Sequence, residues 1–346
     1  MAVERLDRST IYGAISSARI GLNEVQWFRS KLNLIKISLI RQKPSALLLL
    51  MLSAALSDPA HSNALINLDD LEKKIQQPGH WLILDVRPRI SYMLGHIPGA
   101  HNVWRPAFQA DENDYPYSGM RASQHKLSQL LSRLGATPET DIILYDDQQG
   151  MDAARLWWIL KLYGHDQVSI LNGGLTEWEK QKKKLNFKSP KAPQRSNYSF
   201  RGTPHPQWLA ELDQVKSIQK KENAILVDVR SLDEFTGKIR KSGAHRHGRI
   251  PGSIWFEYKQ TVNEKGFLDK EQLSRLFHKA GITPDKEIII YCQSGVRSAH
   301  TLFILSEILG YKKIKNYDGS WIEWSWIKDL PAAQGSPEKP NKPHKS

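Results

Sequence analysis

The sequence contains a single cysteine, Cys292, among 346 residues. One cysteine excludes an internal disulfide framework, and it excludes every metal site that is built from two or more thiolates. The chain has no glycine-rich phosphate-binding loop, and its twelve histidines show no paired spacing with acids on a helix. We therefore expect no cofactor and no bound metal.

Long apolar runs are also missing. The apolar run at residues 45–56 falls short of the roughly 20 residues that cross a bilayer. Because Arg41 and Lys43 precede this run and small residues follow it at 62–64, it has the layout of a secretory signal peptide. We predict a leader over residues 1–64, export to the periplasm or beyond, and no stable membrane association once the leader is cleaved. The alternatives are an uncleaved anchor and a leader that is never used, the latter in a cytoplasmic protein.

The chain has an excess of one charge sign, with a formal net charge of +13. Residues 1–44 carry eight Lys or Arg against three Asp or Glu, and residues 180–201 carry eight basic residues and no acidic one. No aromatic residues interleave with a basic helix or ribbon there, so we expect a solvated linker and no nucleic-acid partner. The positive field would attract small anionic substrates.

Four sequence blocks of the first half return in the same order in the second half. Residues 82–87 return as 225–230, 95–100 as 248–253, 134–145 as 280–291, and 173–178 as 319–324. Such a repeat indicates two duplicated domains. We place the first domain at residues 65–185, a linker at 186–205, the second domain at 206–331, and a disordered tail at 332–346.

Each copy alternates short apolar strands with helical stretches, which predicts an α/β fold. Continuous apolar strands favour a mostly parallel sheet that helices cover on both faces. The strands are predicted near 81–86, 142–145 and 168–171 in the first copy, and near 224–229, 287–291 and 313–317 in the second. The helix that follows the second of these strands is predicted at 152–162 in the first copy and at 298–309 in the second.

Cys292 lies between the predicted strand at 287–291 and the predicted helix at 298–309. Such a junction aims loop N–H groups and the positive end of the helix dipole at one point. A sulfur anion would be stabilised there, and the thiolate is the reactive form of cysteine. A small buried hydrophobe is the alternative reading of a lone cysteine. The equivalent residue in the first copy is Asp146, which cannot be a sulfur nucleophile, so we predict that only the second copy is active.

From about residue 65 to residue 331, the chain resembles the tandem-domain rhodanese-type sulfurtransferases. The resemblance rests on the Asp-Val-Arg ends of two strands, the Gly-His-Ile-Pro-Gly turn at 95–99, the loop after Cys292, and the Tyr-Asp-Gly-Ser-Trp-Ile-Glu-Trp segment at 317–324. The segment at 234–238 and the Gly-Arg-Ile-Pro-Gly variant at 248–252 look closest to exported bacterial thiosulfate sulfurtransferases.

The resemblance implies a thiosulfate sulfurtransferase. Such an enzyme takes sulfur from a small anionic donor and transfers it to a thiol or cyanide acceptor. Cys292 would carry the sulfur as a persulfide, which is covalent catalysis with ping-pong kinetics. Arg230 matches the family arginine that binds the anionic group of the sulfur donor, and Arg249, which replaces the usual histidine of its turn, is a further candidate contact. The loop residues expected to cradle the persulfide are Gln293, Ser294, Gly295, Val296, Arg297 and Ser298. We expect a monomer.

Three alternatives stay open at this point. Gln293 and Ser294 are neutral, and the mercaptopyruvate-preferring members of the family carry small neutral residues there, so 3-mercaptopyruvate is the alternative sulfur donor. A non-catalytic rhodanese-like binding module is the second alternative. A phosphatase or arsenate reductase is the third, but those loops place one more residue between the cysteine and the arginine than the four that separate Cys292 from Arg297.

Overall fold

The computed structural model describes residues 64–336. The predicted leader, apart from its last residue, and the part of the predicted tail beyond residue 336 lie outside the described residues. Within the described part, no helix is both long and apolar enough to span a membrane.

The first domain contains a five-stranded sheet in the order β1-β5-β4-β2-β3, and every neighbouring pair runs parallel. Its strands are β1 (Leu65–Ile66), β2 (Trp81–Asp85), β3 (His101–Asn102), β4 (Asp141–Tyr145) and β5 (Val168–Leu171). Its α-helices are α1 (Leu68–Ile75), α2 (Arg89–Met93), α3 (Gln124–Arg133), α4 (Met151–Leu162) and α5 (Gly174–Lys180). One 3₁₀ turn, Arg105–Phe108, follows β3.

The second domain repeats this sheet in the order β6-β12-β11-β7-β8, again all parallel. Its strands are β6 (Leu209–Ala210), β7 (Ala224–Asp228), β8 (Ile254–Trp255), β11 (Glu287–Tyr291) and β12 (Ile314–Tyr317), with a separate antiparallel pair β9 (Val262–Asn263) and β10 (Gly266–Phe267). Its α-helices are α6 (Leu212–Ser217), α7 (Leu232–Thr236), α8 (Lys270–Lys279), α9 (Val296–Phe303) and α10 (Ser320–Trp326). Three 3₁₀ turns lie at Pro206–Trp208, Ile218–Lys220 and Tyr258–Thr261.

Both sheets are buried on both faces, which is why their strands are apolar at successive positions. In the second domain, Ile288 and Ile290 pack with helices α8 and α9, whereas Ile289 between them packs with α6 and α10. In the first domain, Ile142 packs with α3 and α4, and Ile143 with α1 and α5. The predicted fold class, two α/β domains on parallel sheets, is confirmed.

Helix α9 differs from the single predicted helix at 298–309. It begins at Val296 and ends at Phe303, and a π-helical turn, Ile304–Ile308, continues it. A π turn accommodates one extra residue. The glycine that begins the helix is offset by 145 positions between the copies (Gly150 and Gly295), while the glycine after the helix is offset by 146 (Gly164 and Gly310). The π turn therefore restores the register that the shorter loop after Cys292 removes.

The two domains share one hydrophobic core, because α4 of the first domain packs against α9 of the second. Trp157 meets Phe303 edge to face with ring centroids 4.8 Å apart, and it stacks on Trp208 at 5.4 Å. Polar groups also cross this interface. The Arg155 guanidinium lies 2.6 Å from the Asp318 carboxylate, and the two side chains are 1% and 2% exposed.

The predicted linker and tail are attached to the domains. Asn186 pairs with His96 as an antiparallel bridge, and Tyr198 is buried with its hydroxyl 2.9 Å from His165 Nδ1. The residues at 186–205 therefore pack on the first domain. Ala333 forms an antiparallel bridge with Arg249, so the first residues of the predicted tail pair with the second domain.

Replacement of Phe303 by alanine tests the shared core. Phe303 is fully buried between Trp157 and Phe267, so we expect Phe303→Ala to reduce the free energy of unfolding by about 3–5 kcal/mol through lost contacts and a cavity. Urea unfolding followed by tryptophan fluorescence measures it. Phe187 is 68% exposed, and Phe187→Ala should change the free energy by no more than about 0.5 kcal/mol. Equal effects would contradict the shared core.

Candidate active site

Cys292 lies directly after β11, at the carboxyl end of the central strand of the second sheet, and is 1% exposed. The loop turns sharply into α9, whose N-cap Gly295 has a left-handed backbone with φ of 75°. A Cβ at this position would lie 2.7 Å from Arg155 Nη1 and 2.9 Å from the Asp318 carbonyl oxygen. Glycine is therefore required by the backbone angle and by the lack of space.

The Ser320 hydroxyl fixes both ends of this loop. It accepts hydrogen bonds from the Cys292 N–H at 3.1 Å and the Gly295 N–H at 3.0 Å, and it donates one to the Tyr317 carbonyl at 2.7 Å. Ser320 itself has a left-handed φ of 51°, which costs conformational energy in a non-glycine residue. This strained serine holds the loop in shape from the start of α10.

The first domain also holds the loop. Arg155 donates from Nη1 to the Gly295 carbonyl at 3.2 Å, and Asn316 of β12 donates to the same oxygen at 3.1 Å. Arg121 pairs with Asp318 at 2.9 Å. Burial alone would raise the pKa of Asp318, but Arg155 and Arg121 lower it below its usual range. The active loop is thus fastened to an ionised carboxylate that two arginines of the other domain stabilise.

The surroundings of the thiol favour its ionised form. Burial alone would raise the pKa of Cys292, but the charge of Arg297, the Ser298 hydroxyl and the amides of Ser298 and Ser294 together lower it below its ordinary value. The Ser298 hydroxyl lies 3.4 Å from Sγ. The lowered pKa increases the fraction of Cys292 that is present as thiolate at a given pH, and the thiolate is the nucleophilic form.

The first copy contains the same cradle filled by a carboxylate. Asp146 accepts four backbone N–H groups, from Gln148 and Gly150 at 2.8 Å, from Asp152 at 2.8 Å and from Ala153 at 3.0 Å. Burial raises the pKa of Asp146 to about 6 in spite of these contacts. The backbone of this duplicated loop therefore directs N–H groups at one position, which suits an anion. A carboxyl group occupies that position in the first copy, and sulfur occupies it in the second.

Arg297 forms a two-pronged ion pair with Glu234, with Nη1 and Nη2 at 2.7 and 2.9 Å from the two carboxylate oxygens. Glu234 is held in turn by a capping box with Ser231 at the start of α7. Burial alone would raise the pKa of Glu234, but the contact with Arg297 lowers it to about 2. The pair fixes the Arg297 guanidinium beside the cleft that contains Cys292.

The cleft above Cys292 is rich in cationic side chains, three of which were not anticipated from the sequence. They are Arg105 from the first domain, Lys241 and Lys259. Arg105 donates to the Ser294 hydroxyl at 3.2 Å, and its Nη1 lies 3.6 Å from Asp152, beyond hydrogen-bond distance. Burial lowers the pKa of Arg105. This arginine is a partly desolvated cation that its acidic neighbour does not fully pair.

The predicted loop residues are brought together. Gln293, Ser294, Val296 and Arg297 line the cleft with Cys292, and Ser298 is buried beneath the sulfur. Gln293 also donates to the Ser242 carbonyl at 3.2 Å. The loop is therefore a continuous rim around one sulfur atom.

Arg230 and Arg249 are placed elsewhere, in contrast to their expected contact with the sulfur donor. Arg230 is 1% exposed, and it pairs with Asp228 at 2.6 Å and donates to the Gly248 carbonyl at 2.9 Å. Arg249 lies over the Phe235 ring at 4.3 Å and donates to the Gly335 carbonyl. Neither lines the cleft, because both guanidinium groups are engaged in holding turns and the C-terminal segment.

The sequence contained a signal for the role of Arg230. Arg87 of the first copy makes the same contacts with Asp85 and the Gly95 carbonyl, and that copy has no cysteine. The occurrence of this arginine in both copies therefore indicates a structural role in the turn. Arg105 had no such signal, because it comes from the other domain.

Comparison with known proteins identifies the family. The model of the rhodanese-like domain matches residues 67–181 and 211–325. The chain is 33% identical over 285 residues to the sulfur carrier protein TtuD of Thermus thermophilus, covering 80% of this chain and 98% of the relative. It is 28% identical over 294 residues to a thiosulfate sulfurtransferase of Corynebacterium glutamicum, covering 83% and 96%. The chain thus belongs to the rhodanese family, with two domains in tandem.

Solved structures agree on the fold. The wild-type structure of EanB superposes with a TM-score of 0.71 at 24% identity, covering 81% of this chain and 71% of that chain. The crystal structure of YnjE gives 0.70 at 24% identity, with coverages of 81% and 70%. At this identity the likeness concerns the architecture alone.

Removal of the Arg297 charge tests the electrostatics of the thiol. In Arg297→Gln the pKa of Cys292 should rise, because burial then acts against the thiolate with less compensation. The rate of iodoacetamide alkylation, measured against pH, should show its midpoint at higher pH and a lower rate at pH 7. The single variant leaves the Glu234 carboxylate without its partner. The double variant Glu234→Gln with Arg297→Gln removes that charge as well and serves as the control. An unchanged midpoint in both variants would contradict the role of Arg297.

Proposed function

We propose that this protein is a sulfurtransferase that moves sulfane sulfur from thiosulfate to a thiophilic acceptor through a persulfide on Cys292. The observation that carries the proposal is the position of this thiol in a loop whose duplicate binds a carboxylate through four N–H groups. A cradle of this kind stabilises the anionic sulfur before and after transfer. The family supports the same interpretation, as do the names of two relatives, a sulfur carrier protein and a thiosulfate sulfurtransferase.

The proposed chemistry consists of two displacements at sulfur. The Cys292 thiolate attacks the outer sulfur of thiosulfate, a new S–S bond forms, and sulfite leaves with the electron pair of the broken S–S bond. The acceptor, cyanide or a thiolate, then attacks the terminal sulfur of the persulfide. The second S–S bond breaks and returns its electron pair to Cys292, so no external redox agent is required.

The anionic end of the sulfur donor needs cations at the cleft. Arg230 cannot supply one, because it is buried in its pair with Asp228. Arg105, Lys241 and Lys259 line the cleft, and Arg105 is the least exposed of them to competing solvent. We assign the sulfite group of thiosulfate to Arg105, with the lysines providing a long-range positive field.

3-Mercaptopyruvate is the second candidate for the sulfur donor. The loop positions next to the cysteine are neutral, and the Ser294 hydroxyl accepts a hydrogen bond from Arg105. A carboxylate could therefore take the same position as sulfite, since both are met by cations outside the loop. The choice between the two is made by direct comparison of the sulfur donors.

Export is a separate proposal that rests on the N-terminal sequence alone. The apolar run at 45–56 and the small residues at 62–64 support cleavage and release into the periplasm. N-terminal sequencing of the mature protein should find a start near residue 65. An intact leader in a cytoplasmic fraction would contradict it.

Thiocyanate formation tests the proposed function. We expect turnover with thiosulfate and cyanide, and none with Cys292→Ser, because serine cannot carry a transferable sulfur. A persulfide on the donor-treated wild type, detected as a mass increase of one sulfur, should disappear when cyanide is added. Turnover with 3-mercaptopyruvate alone would select the second candidate. Inactive folded protein with a free thiol would favour a non-catalytic binding module.

Replacement of Arg105 by glutamine tests the contact with the sulfur donor. We expect the KM for thiosulfate to rise about tenfold, which corresponds to loss of one charge-assisted hydrogen bond, while the rate of persulfide transfer to cyanide stays the same. Arg275 is exposed on α8, and Arg275→Gln is the control with the same loss of charge. An equal rise in both variants would mean that only the overall field acts. A fall in both half-reactions for Arg105→Gln would mean a structural role.

A further inference from the structure

Helix α2 presents an apolar face to solvent. Ile90, Met93 and Leu94 occupy positions i, i+3 and i+4 of this single turn and are 73%, 59% and 77% exposed. The opposite face carries Tyr92, which is buried and donates from its hydroxyl to the Ala100 carbonyl at 2.8 Å. The turn is therefore anchored by its aromatic residue while its aliphatic side chains point away from the domain.

Phe187 extends this face. The residue before it, Asn186, exchanges backbone hydrogen bonds of 2.8 and 2.9 Å with His96, which brings the segment beside the end of α2. A Cβ on Gly95 would lie 3.6 Å from Phe187 Cε1. Because Gly95 directly follows Leu94, the Phe187 ring lies beside the end of α2. We call Ile90, Met93, Leu94 and Phe187 the apolar patch.

The segments that carry the apolar patch contain no acidic residue. This holds for residues 86–110 and for residues 180–201, of which the second contains eight Lys or Arg. Two of the eight, Lys180 and Lys183, pair with acids of other segments. The exposed basic residues next to the patch are Arg89, Lys184, Lys188 and Lys191. The two segments thus contribute only basic side chains to the rim of the patch, and two acids of α1 beside them, Asp69 and Glu72, are paired with Lys183.

The chemistry of this surface limits what can cover it. A second copy would place the same basic rim against itself, since a two-fold interface joins identical surfaces, and like charges would repel. The large side chains of the patch are more than half exposed, so they protrude, and the partner must supply apolar surroundings that admit them. The interfacial region of a bilayer does this, and an anionic headgroup layer attracts the basic rim.

We propose that the apolar patch and its basic rim dock this protein on an anionic lipid surface. The patch inserts its aliphatic and aromatic tips at the level of the headgroups, and the rim binds the lipid phosphates. The patch residues do not line the cleft of Cys292, so docking leaves the active cleft unblocked by the patch. The proposal differs from the sequence-based expectation of no stable membrane association after leader cleavage, and it does not depend on the proposed sulfur transfer.

Flotation of the full-length protein with vesicles tests the proposal. We expect binding to vesicles that mix phosphatidylglycerol with phosphatidylcholine, weaker binding to phosphatidylcholine alone, and weaker binding at high salt. Leu94→Ser combined with Phe187→Ser should reduce the affinity by about tenfold or more, because two inserting side chains lose their apolar character. Charge reversal at the rim should do the same, with the variant Lys184→Glu, Lys188→Glu and Lys191→Glu.

Matched controls lie in the second domain. The apolar control is Leu232→Ser, at a side chain that is 40% exposed and does not line the cleft of Cys292. The charge control replaces three exposed lysines, Lys220, Lys270 and Lys312, by glutamate and gives the same change in net charge. Both controls should bind the vesicles as the wild type does.

Three outcomes would overturn the proposal. Equal binding of all variants would mean that another segment, such as the N-terminal run at 45–56, makes the contact. No binding by wild-type protein would exclude a lipid surface. A wild-type dimer in analytical ultracentrifugation that becomes a monomer in Leu94→Ser with Phe187→Ser would assign the patch to a second copy. Thiocyanate formation in the same samples reports separately on the sulfurtransferase activity.

Discussion

The buried ion pair between Arg155 and Asp318 is the interaction on which the active loop depends. Asp318 follows the strand next to β11, and Arg155 comes from the helix of the first domain that packs on α9. Arg155 also donates to the Gly295 carbonyl, so one guanidinium joins the two domains and fixes the turn after the cysteine. Removal of one partner of a buried ion pair is strongly destabilising, so the first domain stabilises the loop although it carries no cysteine.

The duplication shows how a structural site and a reactive site can share one backbone. Both copies aim loop N–H groups at the end of the central strand, and in the first copy the Asp146 carboxyl group accepts them. The second copy has a loop one residue shorter and a π turn, Ile304–Ile308, that takes up the difference. The π turn continues α9 and adds the residue that the shorter loop lacks. The tighter loop is therefore accommodated within the helix.

The cations around Cys292 are divided between two tasks. Arg297 is locked by Glu234 and stabilises the thiolate from a fixed position. Arg105, Lys241 and Lys259 line the open part of the cleft, where a small anion can still approach. Arg230 differs from these cations, since it is buried, pairs with Asp228 and does not line the cleft.

The sequence by itself determined the duplicated α/β fold and the position of the single cysteine, the proposed nucleophile, at a strand end of the second copy. The signals for these features are local, because each involves residues that are close together in the chain. They are the strands that are apolar at successive positions, the repeated turns, and the single cysteine at a strand end. The cradle residues Gln293 to Ser298 were predictable for the same reason, because a strand, a short loop and a helix fix their own geometry.

Only the tertiary structure decided what surrounds that loop. Arg105 and Arg155 reach it from residues far away in sequence, and no local pattern marks an arginine that crosses a domain interface. Arg230 and Arg249 carried the expected motif, yet burial beside Asp228 and Phe235 gave them structural contacts. The role of a charged side chain depends on which partners and how much solvent it meets, and these are set by packing between distant segments.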